Sequence, residues 1–376
     1  MRTAFSAGVT FGTMKKKSPI HDMFQVHWFA CLVLATLPVM AQSQARPPYP
    51  EGLYAEVTTP RGLVVIQLEL EKTPVAVANF VGLAEGTIAN RALPLGTPFF
   101  DGSAFQRVVP GHVAQGGMPA GSPDEGPGYE FPNEIVPGLS HQLGMVNMAN
   151  GGPHTNGSQW CFILGDRAYL DGDYTVFGHV IQGMDAVLKI QQGDRMEHVR
   201  IVRIGPKAET FHPDTASFQK LVEVAKARVT ADEIRKAKTE ATIIAKRWPH
   251  AKDDATGLKV QVLREGRGDL AKPGDHLKVA YTGTTLYGKT FASTSAGGPW
   301  WGDKGQTFDF QVGTTHLNPA LDVAFAHMKP GEKRLLIVPP SLGYGTSGLY
   351  PPERIGEKRF VISPNTVLVY EVDVAE

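Results

Sequence analysis

The chain has 376 residues, with 37 Lys and Arg against 37 Asp and Glu, 41 Gly, 28 Pro and only 2 Cys. A formal charge of zero removes a broad electrostatic case for nucleic acid or anionic lipid as partner, and two cysteines make neither a disulfide scaffold nor a thiolate zinc site. The length suits two domains, and the abundance of Gly and Pro suits short strands, turns and ordered loops.

Lys15, Lys16 and Lys17 precede an apolar run from Trp28 to Leu37, and small residues follow around Ala41. This reads as a secretory signal peptide over residues 1–41, cleaved after Ala41 or Ala45, with Met14 as a candidate start. The apolar core is shorter than the about 20 residues that span a bilayer, and no later segment supplies a membrane anchor. Cleavage would remove Cys31 and leave Cys161 as a lone thiol in an oxidising compartment, safer buried than exposed. The expected location is exported, periplasmic or secreted.

After a Pro-rich lead-in over residues 42–52, alternating runs such as GLVVIQLEL read as strands. Thr73 to Glu85 reads as a helix, with Pro74 at its start and Val77, Phe80, Val81 and Ala84 at helical spacing. From residue 99 to 205, strands such as SAFQRVV, LGMVNMA, QWCFILG and YTVFGHVI alternate with Gly/Pro-rich loops, and one more helical stretch falls at Met184 to Ile190. Residues 206–257 form a helical linker. Phe218, Leu221, Val222 and Ala225, then Ile234, Ala237, Ala241 and Ile244, recur at helical spacing. A capping box at Thr230 and Glu233 predicts two helices broken near Val229. This segment reads as a connector burying one apolar stripe, with a dimerisation pair as the alternative, so the oligomeric state stays open. Strand-and-turn patterning returns over 258–376, with a short helix at Pro319 to His327.

Two strings in the first domain draw attention. FQRVVPGHVAQGG, from Phe105 to Gly117, sets Arg107 and Gln115 among apolar neighbours, a pattern that suggests a buried arginine; MANGGPHTNGSQ, from Met148 to Gln159, reads as a long functional loop. Together with YLDGDYTVFGHV they make residues 53–205 resemble the cyclophilin-type peptidyl-prolyl isomerases. That resemblance implies an eight-stranded antiparallel β-barrel capped by two helices, with the prolyl pocket on its outside. It also implies Arg107, Gln115 and Asn150 as the catalytic set, with His112, Val113, Ala149, Gln159, Cys161, Tyr169, Leu170 and Tyr174 lining the substrate pocket. His112 and Cys161 stand where the family usually has phenylalanines, and Tyr169 where a tryptophan is familiar. No metal or other cofactor is implied; His112 and Cys161 lack two further ligands at sensible spacing.

In residues 258–376 the strings VAYTGTT, GKTFAST, FDFQVG, MKPGEKRLLIVPPSLGYG and NTVLVYEVDV resemble the FKBP-type peptidyl-prolyl isomerases. A curved antiparallel sheet around a short helix is implied, with a pocket from Tyr281, Phe291, Phe308, Leu317, Asn318, Leu321, Tyr344, Ile362 and Tyr370. Ala292, Leu321 and Asn318 depart from the family's usual acidic, tryptophan and aliphatic residues. The whole is thus expected to be mainly β with α. The expected activity is isomerisation of X-Pro bonds in exported, unfolded or slowly folding clients, chiefly through the first domain. The alternative is a proline-directed binding module or holdase with little turnover, especially in the second domain. Proline-containing client proteins are the expected partners; nucleic acid is not.

Overall fold

The computed structural model describes residues 49–120, 126–294, 307–314, 319–350 and 360–375. The expected signal peptide lies outside them, as do Leu317 and Asn318.

The first sheet contains β1 (Gly52–Thr59), β2 (Gly62–Leu68), β3 (Arg107–Val109), β4 (Val113–Gly116), β5 (Met145–Asn150), β6 (Asn156–Ile163), β7 (Val176–Gln182) and β8 (His198–Ile204). Its order is β3-β4-β6-β5-β7-β2-β1-β8, antiparallel throughout. A bridge between Ala104 and Arg195, just before β3 and β8, joins the two ends and closes the barrel. Helix α1 (Pro74–Ala84) is buried at every residue after Pro74, as a helix apolar on all faces must be. Phe80 stacks on Phe100 at 5.1 Å and meets Trp160 edge-on at 5.6 Å. Helix α2 is a single turn, Met184–Val187, shorter than its sequence pattern suggests.

Strand periodicity decides which residues face out. Ala114, Val146, Met148, Trp160 and Phe162 belong to the barrel core, whereas Val113, Cys161 and Ile163 form a separate small cluster joined by Met145 and Ala149. Successive side chains on a strand point to opposite faces, so this second cluster is the outer wall.

After the one-turn α3 (Pro206–Glu209), a single helix, α4 (Thr215–Arg247), runs for 33 residues, about 50 Å at the α-helical rise. The expected break near Val229 does not occur. Thr230 caps nothing; its hydroxyl donates back to the Lys226 carbonyl at 3.1 Å, and neither Gly nor Pro interrupts the segment. The true capping box is Asp214 with Ser217. Nor is the apolar stripe buried along its length. Phe218 and Val222 pack into the barrel core, Ile243, Ile244 and Trp248 pack on the second domain, and Ile234 between them is 52% exposed.

The second sheet comprises β9 (Lys252–Asp253), β10 (Lys259–Arg264), β11 (His276–Thr285), β12 (Thr290–Ser293), β13 (Phe308–Gln311), β14 (Lys333–Val338) and β15 (Leu368–Val374), in the order β12-β11-β15-β14-β10-β9 with β13 on β11. It packs on α5 (Pro319–Ala326) through Ala320, Leu321, Ala324 and Phe325. Among the described residues no helix is long and apolar enough to cross a membrane.

Candidate functional sites

On the barrel's outer wall the register places Arg107 opposite Gln115, Gln115 opposite Cys161 and Cys161 opposite Asn147, one row across β3, β4, β6 and β5. Arg107 is exposed rather than buried, because β3 is the end strand of the sheet order and the residue faces away from the core. Among the described residues no group accepts a hydrogen bond from its guanidinium or pairs with it. Its charge nevertheless reaches the wall: it adds to the burial that lowers the pKa of His112 and opposes the burial that raises that of Cys161. Gln115 donates to Gln159 Oε1 at 2.8 Å, which orients both amides.

The floor beneath is Val113, Cys161 and Ile163, with Ala149 at its edge. Cys161 is only 5% exposed, and burial pushes its thiol up to about 12 against the opposing pull of Arg107. It is therefore a neutral thiol rather than a nucleophile. Asn147, the last member of the row, is buried, and its Oδ1 has no partner among the described residues. Gly117 lets β4 leave the wall: its φ is +95°, and a Cβ there would lie 2.4 Å from the Ser158 carbonyl.

His112 closes one side. Arg167 Nε donates to His112 Nδ1 at 3.1 Å, which fixes the neutral tautomer with its proton on Nε2. Burial, then Arg107 and Arg167, hold its pKa below the ordinary histidine range. The Tyr169 ring lies nearly parallel to the imidazole, 16° apart with centroids at 6.5 Å, and its hydroxyl comes to 3.5 Å from Nδ1. The 3-10 turn Ala168–Leu170 carries Tyr169 and buried Leu170. It is pinned by Asp171, whose carboxylate accepts from the His141 backbone at 2.9 Å and contacts His141 Nδ1 at 2.7 Å. His141 also meets Tyr174 edge-on at 6.1 Å.

The expected long loop from Met148 to Gln159 is two strand ends and a tight turn. Met148 to Asn150 finish β5 and Asn156 begins β6. Thr155 Oγ1 takes the Gly151 and Gly152 N–H groups at 2.9 Å each, so polar composition stabilises a turn here rather than a free loop. Asn150 Nδ2 donates to the Asp173 carbonyl at 3.1 Å, tying the end of β5 to the segment that carries Tyr174. Gln115, Ala149, Asn150 and Gln159 also line an adjoining cleft of about 800 Å³ with Arg91 and Tyr129. Asn156 lies in a glycosylation-like triplet, but it is fully buried and donates to the Phe131 carbonyl and Asn133 Oδ1. The residues missed by sequence reasoning are Arg167, Asp171 and Thr155; lone polar residues in loops carry no periodic signal, and the partners of Arg167 and Asp171 are 55 and 30 residues away.

In the second domain Tyr281, Leu321, Ile362 and Tyr370 are gathered in one buried cluster, with Phe291, Phe308 and Tyr344 packed against it. Tyr370 meets Phe291 edge-on at 5.6 Å and Tyr281 at 6.2 Å. Gly283 permits this, since a Cβ there would lie 2.7 Å from both the Phe291 and Tyr370 rings. Tyr281, Leu321, Ile362 and Tyr370 are each at most 5% exposed. Burial raises the Tyr281 hydroxyl pKa, and the neighbouring Tyr344 adds to it.

Residues 54–206 match the family described as cyclophilin type peptidyl-prolyl cis-trans isomerase/CLD, and residues 268–375 match FKBP-type peptidyl-prolyl cis-trans isomerase. Among curated relatives, peptidyl-prolyl cis-trans isomerase A of Mycobacterium tuberculosis is 42% identical over 132 residues, 34% of this chain and 72% of that protein. The Helicobacter pylori peptidyl-prolyl cis-trans isomerase is 38% identical over 150 residues, 39% of this chain and 85% of its own length. Peptidyl-prolyl cis-trans isomerase B of Bacillus subtilis is 39% identical over 119 residues, 31% and 83% respectively. A solved cyclophilin type isomerase from Cryptosporidium parvum aligns with 40% of this chain and 98% of its own, at 24% identity and a TM-score of 0.35.

Proposed function

From the premise that the chain belongs to the cyclophilin-type peptidyl-prolyl cis-trans isomerases and carries an FKBP-type isomerase domain behind the first, we propose that turnover runs chiefly through the barrel. Arg107 is its catalytic group and exported proteins are its clients. One observation carries the assignment: an exposed guanidinium with no partner among the described residues stands beside a small apolar floor. A salt-bridge role at the barrel edge would need an acidic partner, and none pairs with Arg107 among the described residues.

The chemistry needs little more. An X-Pro bond is held by a barrier of about 18 to 20 kcal/mol because its C–N bond is partly double. As the bond twists, the prolyl nitrogen regains its lone pair, and an N–H of Arg107 donates to it. That hydrogen bond exists mainly in the twisted state, so it lowers the barrier rather than merely holding substrate. Gln115, steadied by Gln159, holds the carbonyl before the proline, and the backbone of Asn150 pairs with the extended peptide. Val113, Ala149, Leu170 and Tyr174 receive the ring. His112 and Cys161 make this wall half-polar, which weakens pyrrolidine burial without removing the catalytic donor.

The second domain works as a proline-directed binding module with low turnover. Tyr281 and Tyr370 are packed as core with Phe291, Phe308 and Tyr344 half-buried against them, and Leu321 offers less stacking surface than an indole. The basic, then apolar, then small-residue order of residues 15–41 supports export and signal cleavage.

Two measurements test the reading. Prolyl exchange monitored by NMR on a short peptide should detect catalysis by the full chain and its near loss in Arg107→Ala; undiminished exchange contradicts the assignment. Fractionation and N-terminal sequencing after bacterial expression should recover a chain starting at Gln42 or Arg46 outside the cytoplasm, and an uncleaved cytoplasmic chain contradicts export.

A further inference from the structure

A groove of about 1160 Å³ lies along the C-terminal half of α4, lined by residues of the barrel and of the second domain. Ala237, Ala241 and Ala245, one turn apart, stand exposed on the helix side of it and leave its floor shallow. Glu240, beside them in the lining, is only 7% exposed. Its carboxylate accepts no hydrogen bond among the described residues. The nearest cation, Lys236 Nζ, is 4.0 Å away and donates instead to the Asn365 carbonyl at 2.9 Å. Lys259, also in the lining, is engaged by Asp253 at 2.6 Å. A desolvated carboxylate without donors is costly unless something supplies them, so the chemistry of the groove calls for a cationic or N–H-rich occupant.

Its ends indicate which one. On the barrel side the lining includes Pro153, in the turn that follows Asn150, and Asp173, whose carbonyl Asn150 holds. On the other side it includes Thr346, two residues beyond Tyr344. Each end of the groove thus lies within a few residues of a prolyl site: Pro153 and Asp173 near Asn150 and Tyr174, and Thr346 near Tyr344. We propose that it binds an extended segment of the client polypeptide, pairing a Lys or Arg of that segment with Glu240, so that one client spans both domains. The proposal rests on the isomerase reading of the two sites.

The test uses the full chain and dye-labelled peptides in which two prolines are joined by spacers of graded length, each spacer carrying either one Arg or one Glu. By fluorescence anisotropy, the best Arg spacer should bind at least about tenfold more tightly than its Glu counterpart. Glu240→Gln should abolish that preference. Ala241→Trp, at an exposed helical position, should weaken the two-proline peptide while leaving turnover of a short single-proline peptide unchanged. Equal affinity for both spacers at every length, or an Ala241→Trp variant that binds as the parent does, overturns the proposal. A concentration-dependent dimer in sedimentation that Ala241→Trp abolishes also overturns it, assigning the groove to a second copy. Turnover of the single-proline peptide is scored separately: its absence refutes the isomerase reading, while the Arg preference still reports on the groove.

Discussion

The two prolyl sites are built by opposite means. On the barrel, the residues of the site face away from the core, and a cation with no partner among the described residues stands beside a small apolar floor. In the second domain the pocket is anchored in the core itself: Tyr281, Leu321, Ile362 and Tyr370 are at most 5% exposed, and Phe291, Phe308 and Tyr344 are half-buried against them. Packing a set of rings makes a stable domain, whereas accelerating a bond rotation needs a donor still free to bond the twisted state. On that distinction we propose that the first domain turns substrate over and the second chiefly holds it.

Arg107 is where the contrast breaks most sharply. Arg107→Ala should lower kcat/KM by about 100-fold or more, the scale seen when one transition-state donor is removed. Arg107→Lys should recover little, since an ammonium lacks the planar fork. A coupled assay on the full chain checks both, and thermal melts should show the barrel intact.

Gly283→Val attacks the other side. Its new side chain meets the Phe291 and Tyr370 rings, so the second domain should lose about 1 to 3 kcal/mol of stability in denaturant unfolding, with barrel turnover unaffected. Loss of turnover would show that the second domain contributes more to catalysis than its packing suggests.

His112→Phe should sharpen the first pocket. Replacing the imidazole by an apolar ring adds roughly 1 kcal/mol of pyrrolidine burial, about a fivefold rise in kcat/KM. A fall instead would mean that the Arg167–His112 contact matters more to the shape of the wall than its polarity does.

A smaller effect is expected from pH. Burial lowers the pKa of His112, His141 and His154; Arg107 and Arg167 add to the shift at His112, Asp171 opposes it at His141, and Glu233 opposes it at His154. With folded values below unfolded ones, the unfolded chain takes up protons first. Barrel stability is therefore full above the ordinary histidine range near about 6.5 and declines as pH falls through it. Calorimetry should show the barrel transition dropping by a few degrees, roughly 2 to 4 °C per kcal/mol, between neutral and mildly acidic pH.

Period-two patterning makes the outer wall legible in the amino-acid order itself: in FQRVVPGHVAQGG the outward Arg107, Val113 and Gln115 alternate with inward Val108, Ala114 and Gly116. Helix α1 is equally plain from its apolar content. What escapes such reading is either local competition or distance. Thr230 has the signature of a cap, yet its hydroxyl bonds within the continuing helix. The Gly- and Asn-rich stretch after Met148 has the composition of a loop, yet Thr155 and the neighbouring strands fold it into a turn. The Arg167–His112 contact joins residues 55 apart, and nothing in either neighbourhood announces it. The aromatic box of the second domain is readable as a set, but its degree of burial depends on Gly283 and on strands brought together from distant parts of the sequence.

The most direct test compares the two sites in one molecule, by NMR exchange of a single-proline peptide with the full chain, Arg107→Ala and Phe291→Ala. Nearly complete loss of catalysis in Arg107→Ala and little change in Phe291→Ala is the predicted result; catalysis that survives Arg107→Ala and disappears in Phe291→Ala would contradict the account.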